Sequence, residues 1–303
     1  MRVKLTLFCF FLLPATLWAG GYNLRFKVSE RNFADSIAIE DEGGRVFVTV
    51  TIGGAQRRFL LDTGAAQTVV YDDTELSHCP QVGTIRSTDA LGAQAVVPMV
   101  ALPPLRMGRL LFTGMQATVH QRPSQGQHID GIVGFDIVCK GLSMKIDVAQ
   151  RLLILTDRKK HFNAERAQTI EIPYQVLPFR HTPYVDVQPF QGYTEQVLFD
   201  TGSPYLYRMN KASFEQGLDS CLAQNPEQIE GTTTGSFLRG LHGQEASGQV
   251  TLLRLDRLQW GTFSFYELST RTTQGLSHLG GPVLDYGSVV FLPHRKRLLF
   301  QPY

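Results

Sequence analysis

Two stretches of sequence decide the fold: Leu60–Ala65, which is LLDTGA, and Leu198–Ser203, which is LFDTGS. In each stretch two apolar residues precede an Asp-Thr-Gly triplet. The apolar pair is typical of the end of a buried strand, and the glycine permits a tight turn that presents the aspartate there. One such triplet alone indicates only a strand that ends in a turn.

The sequence that follows each triplet repeats as well. Ile132–Gly134 in the first half corresponds to His278–Gly280 in the second, and an Arg-Leu-Leu segment recurs further on with the same separation. A constant separation indicates a duplicated unit. Two duplicated lobes are related by an approximate twofold axis, which brings equivalent residues together at the junction. We therefore expect Asp62 and Asp200 to share one site.

The rest of the sequence predicts a mainly β fold. Short apolar or alternating runs recur between Gly, Pro and polar turns, and one amphipathic helix is predicted over Ser213–Ala223. The expected lobes are residues 21–160 and residues 161–303, because the charged stretch near residue 157 is typical of a connection. The clearest predicted strands are Val46–Ile52, Phe59–Leu61, Val96–Leu102, Gln196–Phe199 and Val250–Leu255.

Residues 1–20 predict a secretory signal peptide. Arg2 and Lys4 give a basic start, and the apolar run Leu5–Leu13 is too short to span a bilayer. The chain has 29 basic and 27 acidic residues, and Arg2 and Lys4 account for the excess. A balanced charge argues against nucleic acid as a partner, and no later apolar run is long enough for a membrane span. We expect a secreted or periplasmic protein.

The cysteines and histidines predict no metal site. Cys79, Cys139 and Cys221 follow the signal, so at most one internal disulfide can form among them. Cys139 lies in an apolar stretch and is expected to pack as a small hydrophobic residue. The eight histidines form no His-Glu-x-x-His motif. No metal ion or organic cofactor is therefore expected.

A shared site for Asp62 and Asp200 has a definite chemistry. Two carboxyl groups in contact cannot both ionise cheaply, so one keeps a proton while the other is charged. The carboxylate can take a proton from water while the protonated carboxyl donates to the oxygen of a scissile carbonyl. The pair therefore predicts hydrolysis of a peptide bond without a covalent intermediate.

The doubled motif resembles that of the pepsin-like aspartic peptidases. Asp130–Gly134, which is DGIVG, is similar to the family's Asp-Gly-Ile-Leu-Gly segment, and the first triplet with Ala65 after its glycine is also similar to the retroviral peptidases. The resemblance spans about Val46 to Gln301. It implies a two-lobed acid-protease fold with pseudo-twofold related, β-barrel-like lobes and a central cleft. It also implies a monomeric aspartic endopeptidase that binds a peptide or protein substrate in an extended conformation.

The resemblance further implies roles for the residues beside the pair. Thr63 and Thr201 would bond to the backbone of the opposite lobe, while Gly64 and Gly202 would keep backbone amides close to the carboxylates. Ser203 follows only the second triplet. A hydroxyl group that donates to the second carboxylate would lower the pKa of that carboxyl, so we expect the second aspartate to ionise first.

The resemblance also implies a flap over the cleft, around Thr88–Val97. Its turn should lie at Leu91, Gly92 and Ala93, which would then contact the substrate. The flap of the pepsin-like peptidases carries a tyrosine, whereas this flap has none.

A second departure from the family is His278, which stands where a hydrophobic residue is expected and raises the question of a local rearrangement. Together with the flap, it keeps an alternative open, namely a peptide- or protein-binding module without catalysis on the same fold. The two intact triplets at Asp62 and Asp200 favour catalysis.

Overall fold

A computed structural model describes residues 24–122, 129–163, 169–177, 180–220, 228–236 and 238–303. The predicted signal peptide lies outside these residues, as does the last part of the predicted helix. The division of the chain into lobes near residue 160 stays a prediction.

The described residues form mostly β-strands, as the sequence predicts, with short helices between them. The strands of the first half are β1 Lys27–Val28, β2 Ala34–Glu42, β3 Arg45–Ile52, β4 Ala55–Leu61, β5 Val69–Tyr71, β6 Gln81–Thr88, β7 Gln94–Ala101, β8 Leu105–Met107, β9 Leu110–Thr113, β10 Gln116–His120, β11 Gly131–Val133, β12 Ser143–Asp147 and β13 Leu152–Thr156.

The strands of the second half follow in the same way, beginning after the charged connection. They are β14 Ile170–Pro173, β15 Gln175–Val176, β16 Pro183–Phe190, β17 Tyr193–Asp200, β18 Tyr207–Asn210, β19 Ile229–Gly235, β20 Arg239–Gly240, β21 Gly243–Gln244, β22 Gly248–Trp260, β23 Phe263–Thr273, β24 His278–Gly280, β25 Gly287–Leu292 and β26 Arg297–Pro302. The α-helices are α1 Asp136–Cys139 and α2 Lys211–Ser220, and 3-10 helices span Glu75–His78 and Gly281–Asp285.

Helix α2 begins two residues before the predicted start, and its N-terminus explains why. Asn210 precedes the helix, and its side-chain Oδ1 accepts hydrogen bonds from the backbone N–H groups of Ala212 and Ser213. Asparagine is a favoured N-cap because its side chain satisfies amides that have no partner within the helix.

The same arrangement of strands occurs in both halves. In the first, β4 pairs in parallel with β11, β11 pairs antiparallel with β5, and β5 pairs in parallel with β10. In the second, β17, β24, β18 and β23 repeat these three pairings in the same order. The duplication predicted from the sequence is thus present in the pairing of the strands. In each half, one strand of the first parallel pair, β4 or β17, leads into the Asp-Thr-Gly turn.

The two halves also share a sheet. Its strands run in the order β14, β26, β25, β12, β13, β2 and β3, and the bond between β12 and β25 joins the halves. The apolar core continues through this junction, where Phe135 of the first half meets Phe291 of the second edge to face. The described residues confirm the expected mainly β fold.

Two further sequence predictions concern membranes and cysteines. Within the described ranges, no helix has the length and apolar character needed to cross a bilayer. Cys79 and Cys139 are free thiols, and Cys139 packs against the apolar core as expected. Burial raises the pKa of the Cys139 thiol to about 12, so this group is not a nucleophile at neutral pH. Cys221 lies outside the described residues.

Candidate active site

Asp62 and Asp200 lie together where the two halves meet, as the repeat predicts. Their carboxyl groups share a hydrogen bond. Each carboxyl also packs on the glycine of the opposite triplet: a Cβ atom at Gly64 would lie 2.6 Å from Asp200 Cγ, and one at Gly202 would lie 2.5 Å from Asp62 Cγ. Only glycine leaves room for this contact, so both glycines are required by the approach of the carboxyl groups.

Backbone amides of the triplets also hold the carboxylates. Asp62 Oδ1 accepts from the N–H groups of Gly64 at 2.7 Å and Ala65 at 3.1 Å. Asp200 Oδ1 accepts from the N–H group of Gly202 at 3.0 Å. The sequence prediction that the two glycines keep amides close to the carboxyls agrees with this geometry.

Thr63 and Thr201 bond across the junction below the pair. The Thr63 N–H donates to Thr201 Oγ1 at 3.0 Å, and the Thr201 N–H donates to Thr63 Oγ1 at 3.1 Å. Each hydroxyl in turn donates to a carbonyl of the opposite half, Thr63 to Phe199 O at 2.6 Å and Thr201 to Leu61 O at 2.8 Å. Both threonines are buried. The crossed bonds fix the distance between the two aspartates.

The two carboxyl groups differ in proton affinity. Burial raises the pKa of Asp62 well above its usual range, and the charge of Asp200 and the shared hydrogen bond raise it further. Burial also raises the pKa of Asp200, but there the shared hydrogen bond and the amides of Gly202 and Ser203 lower it. Asp62 therefore holds the proton and donates it to Asp200.

The predicted reason for this order was wrong, because the Ser203 hydroxyl has another partner. Ser203 Oγ lies 2.9 Å from His278 Nε2, while His278 Nδ1 lies 3.1 Å from the backbone oxygen of Leu276. A carbonyl oxygen can only accept, so Nδ1 carries the ring hydrogen and Nε2 accepts from the serine. The single hydrogen of the Ser203 hydroxyl is thus committed to His278 and cannot be donated to Asp200.

His278 causes no rearrangement of the strand to which it belongs. It pairs with Leu198 on β17, just as Ile132 pairs with Leu60 on β4. The histidine is buried, and burial lowers its pKa to about 4. A polar ring at this apolar position is tolerated because Ser203 satisfies one nitrogen and a backbone carbonyl the other.

Acidification should destabilise the protein through His278. The pKa of the histidine is about 4 when folded and about 6.5 when unfolded, so between these values the unfolded chain binds the proton first. The contribution of this group to the free energy of unfolding is fully present above pH 6.5 and falls by about 3 kcal/mol as the pH falls to 4. The free energy of unfolding is measured in urea at pH 7 and at pH 4. Its decrease between these pH values should be smaller in His278→Gln than in wild type by about that amount. An equal difference in both proteins would contradict the assignment.

The aspartates lie at the base of a cleft of about 810 Å³ between the two halves. Leu60 and Ile132 line it on the first half, and Tyr205 and Leu276 line it on the second. This volume is in the range of sites that bind small molecules or several residues of a peptide.

The predicted flap lies over this cleft as a hairpin of β6 and β7. Its turn contains Leu91, Gly92 and Ala93, and Gly92 adopts a left-handed φ of 81°. Asp89 Oδ1 accepts from the N–H groups of Leu91 and Ala93, each at 3.0 Å, which shapes the turn. Leu91 lines the cleft, whereas neither Gly92 nor Ala93 is among the lining residues.

The flap is bonded to the second half across the cleft, a contact that the sequence did not predict. The Leu276 N–H donates to Ala90 O at 2.8 Å, and the His242 N–H donates to Asp89 Oδ2 at 3.0 Å. The His242 ring also lies 2.9 Å from the Ser87 hydroxyl. We call these contacts between the flap and the second half the roof contacts.

The hairpin of β20 and β21 brings its turn into the cleft. Leu241, at this turn, packs on an apolar cluster of the first half that includes Phe47, Leu60, Val69 and Ile132. Nothing in the alternation of this Gly-rich segment signals such a contact, because the contact depends on how the halves face each other.

Two more cleft residues escaped the sequence analysis. Tyr71, at the end of β5, is buried and lines the cleft close enough to Asp62 that the carboxylate charge helps raise the tyrosine pKa to about 12, after burial. Arg45, at the start of β3, lines the same cleft. Tyr71 precedes β6, the first strand of the flap, so it lies outside the segment in which the resemblance places the flap tyrosine.

No group of three or more His, Cys, Asp or Glu side chains suited to a metal ion occurs in the part of the chain that is described. Asp62 supplies an acidic proton and Asp200 a carboxylate, which is the state required for acid–base hydrolysis.

Comparisons with known proteins agree with this geometry at the level of the family and the fold. Residues 48–137 match the model of a family described as aspartyl protease. No curated protein matched the sequence. Among solved structures, conglutin gamma, a basic 7S globulin from lupine seeds, superposes with a TM-score of 0.52 at 11% identity, over 90% of this chain and 96% of its own.

Basic 7S globulin from soybean superposes with a TM-score of 0.50 at 13% identity, over 88% of this chain and 94% of its own. At these identities the two structures show the fold alone, and they confirm the predicted fold class, a two-lobed fold of the acid-protease type. The segment that matches the aspartyl protease family contains the first triplet, the flap and the strand β11. The first lobe of this two-lobed chain is thus similar to aspartyl proteases.

Proposed function

We propose that the protein is an aspartic endopeptidase in which Asp62 and Asp200 are the catalytic pair. The observation that carries this proposal is the hydrogen bond between the carboxyl groups of Asp62 and Asp200, each packed on the glycine of the opposite triplet in a cleft that both halves line. Buried acids without a function are costly, because burial opposes their charge and like charges repel. The family match over residues 48–137 supports a peptidase.

In this proposal each aspartate carries out one part of the reaction. Asp200, the carboxylate, takes a proton from a water molecule, and the oxygen of that water forms a bond to the scissile carbonyl carbon. Asp62 donates its proton to the carbonyl oxygen, so a neutral tetrahedral intermediate forms. The intermediate then returns a proton to Asp62 from one hydroxyl, the leaving nitrogen receives a proton from Asp200, and the C–N bond breaks.

The substrate in this proposal is a peptide in an extended conformation. The cleft passes under the hairpin of β6 and β7, so an extended chain can bond to strand edges there while its side chains alternate between pockets. Thr63 and Thr201 support the pair from the buried side, while Gly64, Gly202 and Ser203 support it at the wall of the cleft. We further propose that the protein is secreted or periplasmic, on the basis of the signal-like residues 1–20. We also propose that it is a monomer, as the resemblance implies.

Hydrolysis of a mixed peptide pool tests the proposal. The wild-type protein is incubated with the pool from pH 3 to pH 7, and the products are identified by mass spectrometry. We expect new cleavage that persists in a metal chelator and in reagents that inactivate serine and cysteine nucleophiles, and that is absent with heat-denatured protein. Absence of cleavage at every pH would overturn the proposal.

One observation favours a second candidate, a peptide-binding module without turnover. Leu241 already occupies an apolar part of the cleft, and the roof contacts hold the flap down. A binding module needs no access of water to the carboxyl pair. Retention of peptides from the pool by the protein, without any cleavage, would support this candidate instead.

A further inference from the structure

The arginines of the first half differ in whether the protein provides them with a partner. Arg57 pairs with Glu75 at 2.9 Å, and Arg58 pairs with Glu40 and Glu42 at 2.9 Å each. Arg45 lies directly opposite Glu42 in the pairing of β2 with β3, yet Glu42 bonds to Arg58 instead.

Arg45 thus has no carboxylate partner among the described residues. Its Nε atom is buried and makes no hydrogen bond within the described chain. Arg45 is half-buried and its guanidinium lies 5.9 Å from the centre of the Phe47 ring, so its charge is left without a carboxylate and is available to one from outside the protein.

The position of Arg45 on its strand directs it to the catalytic pair. Arg45 and Phe47 are two residues apart on β3 and so lie on one face of the sheet. Phe47 pairs with Leu60, which is two residues before Asp62 on the neighbouring strand. Arg45, Leu60 and Asp62 all line the cleft.

Arg122 is a second cation in this part of the cleft, close to Tyr71. The positive charges of Arg122 and Arg45 both oppose the rise in the pKa of Tyr71, while the charge of Asp62 adds to it. The Arg122 guanidinium lies 4.8 Å from the centre of the Tyr71 ring and is held by Asp73 at 2.6 Å. The tyrosine is therefore within electrostatic range of both arginines and of the first catalytic aspartate.

The Tyr71 hydroxyl makes no hydrogen bond within the described part of the chain, so its donor is available to a ligand. Apart from the catalytic pair, Asp89 is the only acidic side chain among the described residues that line the cleft. Its carboxylate already accepts from backbone amides of the flap and of His242. The cleft therefore offers positive charge and a free hydroxyl donor beside Asp62.

We propose that this part of the cleft is a subsite for a carboxylate of the substrate, bound by Arg45 and Tyr71 with Arg122 behind them, and that the protein selects peptides with a glutamate or aspartate side chain close to the scissile bond. The proposal rests on the proposed function for the place of the scissile bond. A guanidinium and a phenol that both donate to one carboxylate give a charge-assisted site.

Cleavage and retention of matched peptide pools test the subsite. One pool contains Glu and Asp, and the other contains Gln and Asn at the same positions. Both are used with free and with amidated C-termini, so that a side-chain carboxylate is distinguished from a terminal one. Wild type, Arg45→Gln, Arg45→Lys and the control Arg106→Gln are compared. Arg106 is exposed and lies outside the residues that line the cleft.

We expect wild type and Arg106→Gln to cleave and retain the acidic pool about tenfold better than the amide pool, with or without amidation. Arg45→Gln should lose this preference, and Arg45→Lys should keep part of it because it keeps the charge. Thermal unfolding confirms that each variant is folded. An acidic preference that is absent in wild type, that survives Arg45→Gln, or that disappears on amidation overturns the proposal.

The two proposals fail in different ways. If the acidic pool is retained through Arg45 but nothing is cleaved, the subsite stands and the peptidase proposal fails. If peptides are cleaved with no dependence on Arg45 or on acidic residues, the peptidase proposal stands and the subsite fails.

Discussion

Asp62→Asn should lower peptide hydrolysis by at least about a thousandfold, and Asp200→Asn should do the same. An asparagine at 62 still accepts from the amides of Gly64 and Ala65 but has no acidic proton to give to the carbonyl oxygen. An asparagine at 200 cannot take a proton from water. Both rates are measured as initial velocities on a peptide found in the pool experiment.

The stability of these variants provides the control for folding. Burial and the charge of Asp200 raise the pKa of Asp62, so the folded chain holds its proton to higher pH than the unfolded chain does. The contribution of the pair to the stability of the fold is therefore least favourable at neutral pH. At pH 7, Asp62→Asn should be at least as stable as wild type.

Asp186→Asn, at an exposed position of β16, should leave hydrolysis unchanged. If Asp62→Asn kept wild-type activity, the catalytic role of the pair would be refuted.

Thr201→Val should destabilise the protein by about 3 kcal/mol and reduce hydrolysis by about a hundredfold. Valine has nearly the same shape but lacks the hydroxyl, so two buried groups lose their partners: the Thr63 N–H and the Leu61 carbonyl. Each unsatisfied group costs about 1 to 3 kcal/mol. The rate falls because the crossed bonds fix the separation of the aspartates.

Urea unfolding and initial rates measure the two effects of Thr201→Val. Thr49→Val is the matched control, because Thr49 is exposed on β3 and distant from the junction. We expect this variant to change stability by less than about 0.5 kcal/mol. A Thr201→Val protein with unchanged stability and rate would show that the crossed bonds are dispensable.

The sequence predicts those parts of the site that the duplication determines. A twofold axis can bring equivalent positions of two repeats together, so the repeat predicts the pairing of Asp62 with Asp200, while the exchange between Thr63 and Thr201 was implied by the resemblance to the pepsin-like peptidases. The flap was likewise implied by that resemblance, with its turn placed at Leu91, Gly92 and Ala93. These features depend on local pattern and symmetry.

The features that escaped prediction depend on contacts between the halves. The partner of the Ser203 hydroxyl is His278, which lies 75 residues further on and differs from its counterpart in the first half. The seating of Leu241 likewise has no signal in its own segment, since a leucine in a glycine-rich hairpin reads as an ordinary turn residue. A repeat predicts only the features that both halves share, so contacts made by one half alone cannot be predicted from it.

The roof contacts have a consequence for how a polypeptide reaches the carboxyl pair. Below the pair, Thr63 and Thr201 join the halves; above it, Asp89 and His242 join them again. A chain that passes through the cleft is thus encircled by covalent backbone and hydrogen bonds. An unfolded end can enter lengthwise, whereas an internal loop of a folded protein is admitted only when the bonds from Asp89 and Ala90 to the second half separate. If the protein is the peptidase proposed above, encirclement should favour several cuts along one polypeptide before that polypeptide dissociates.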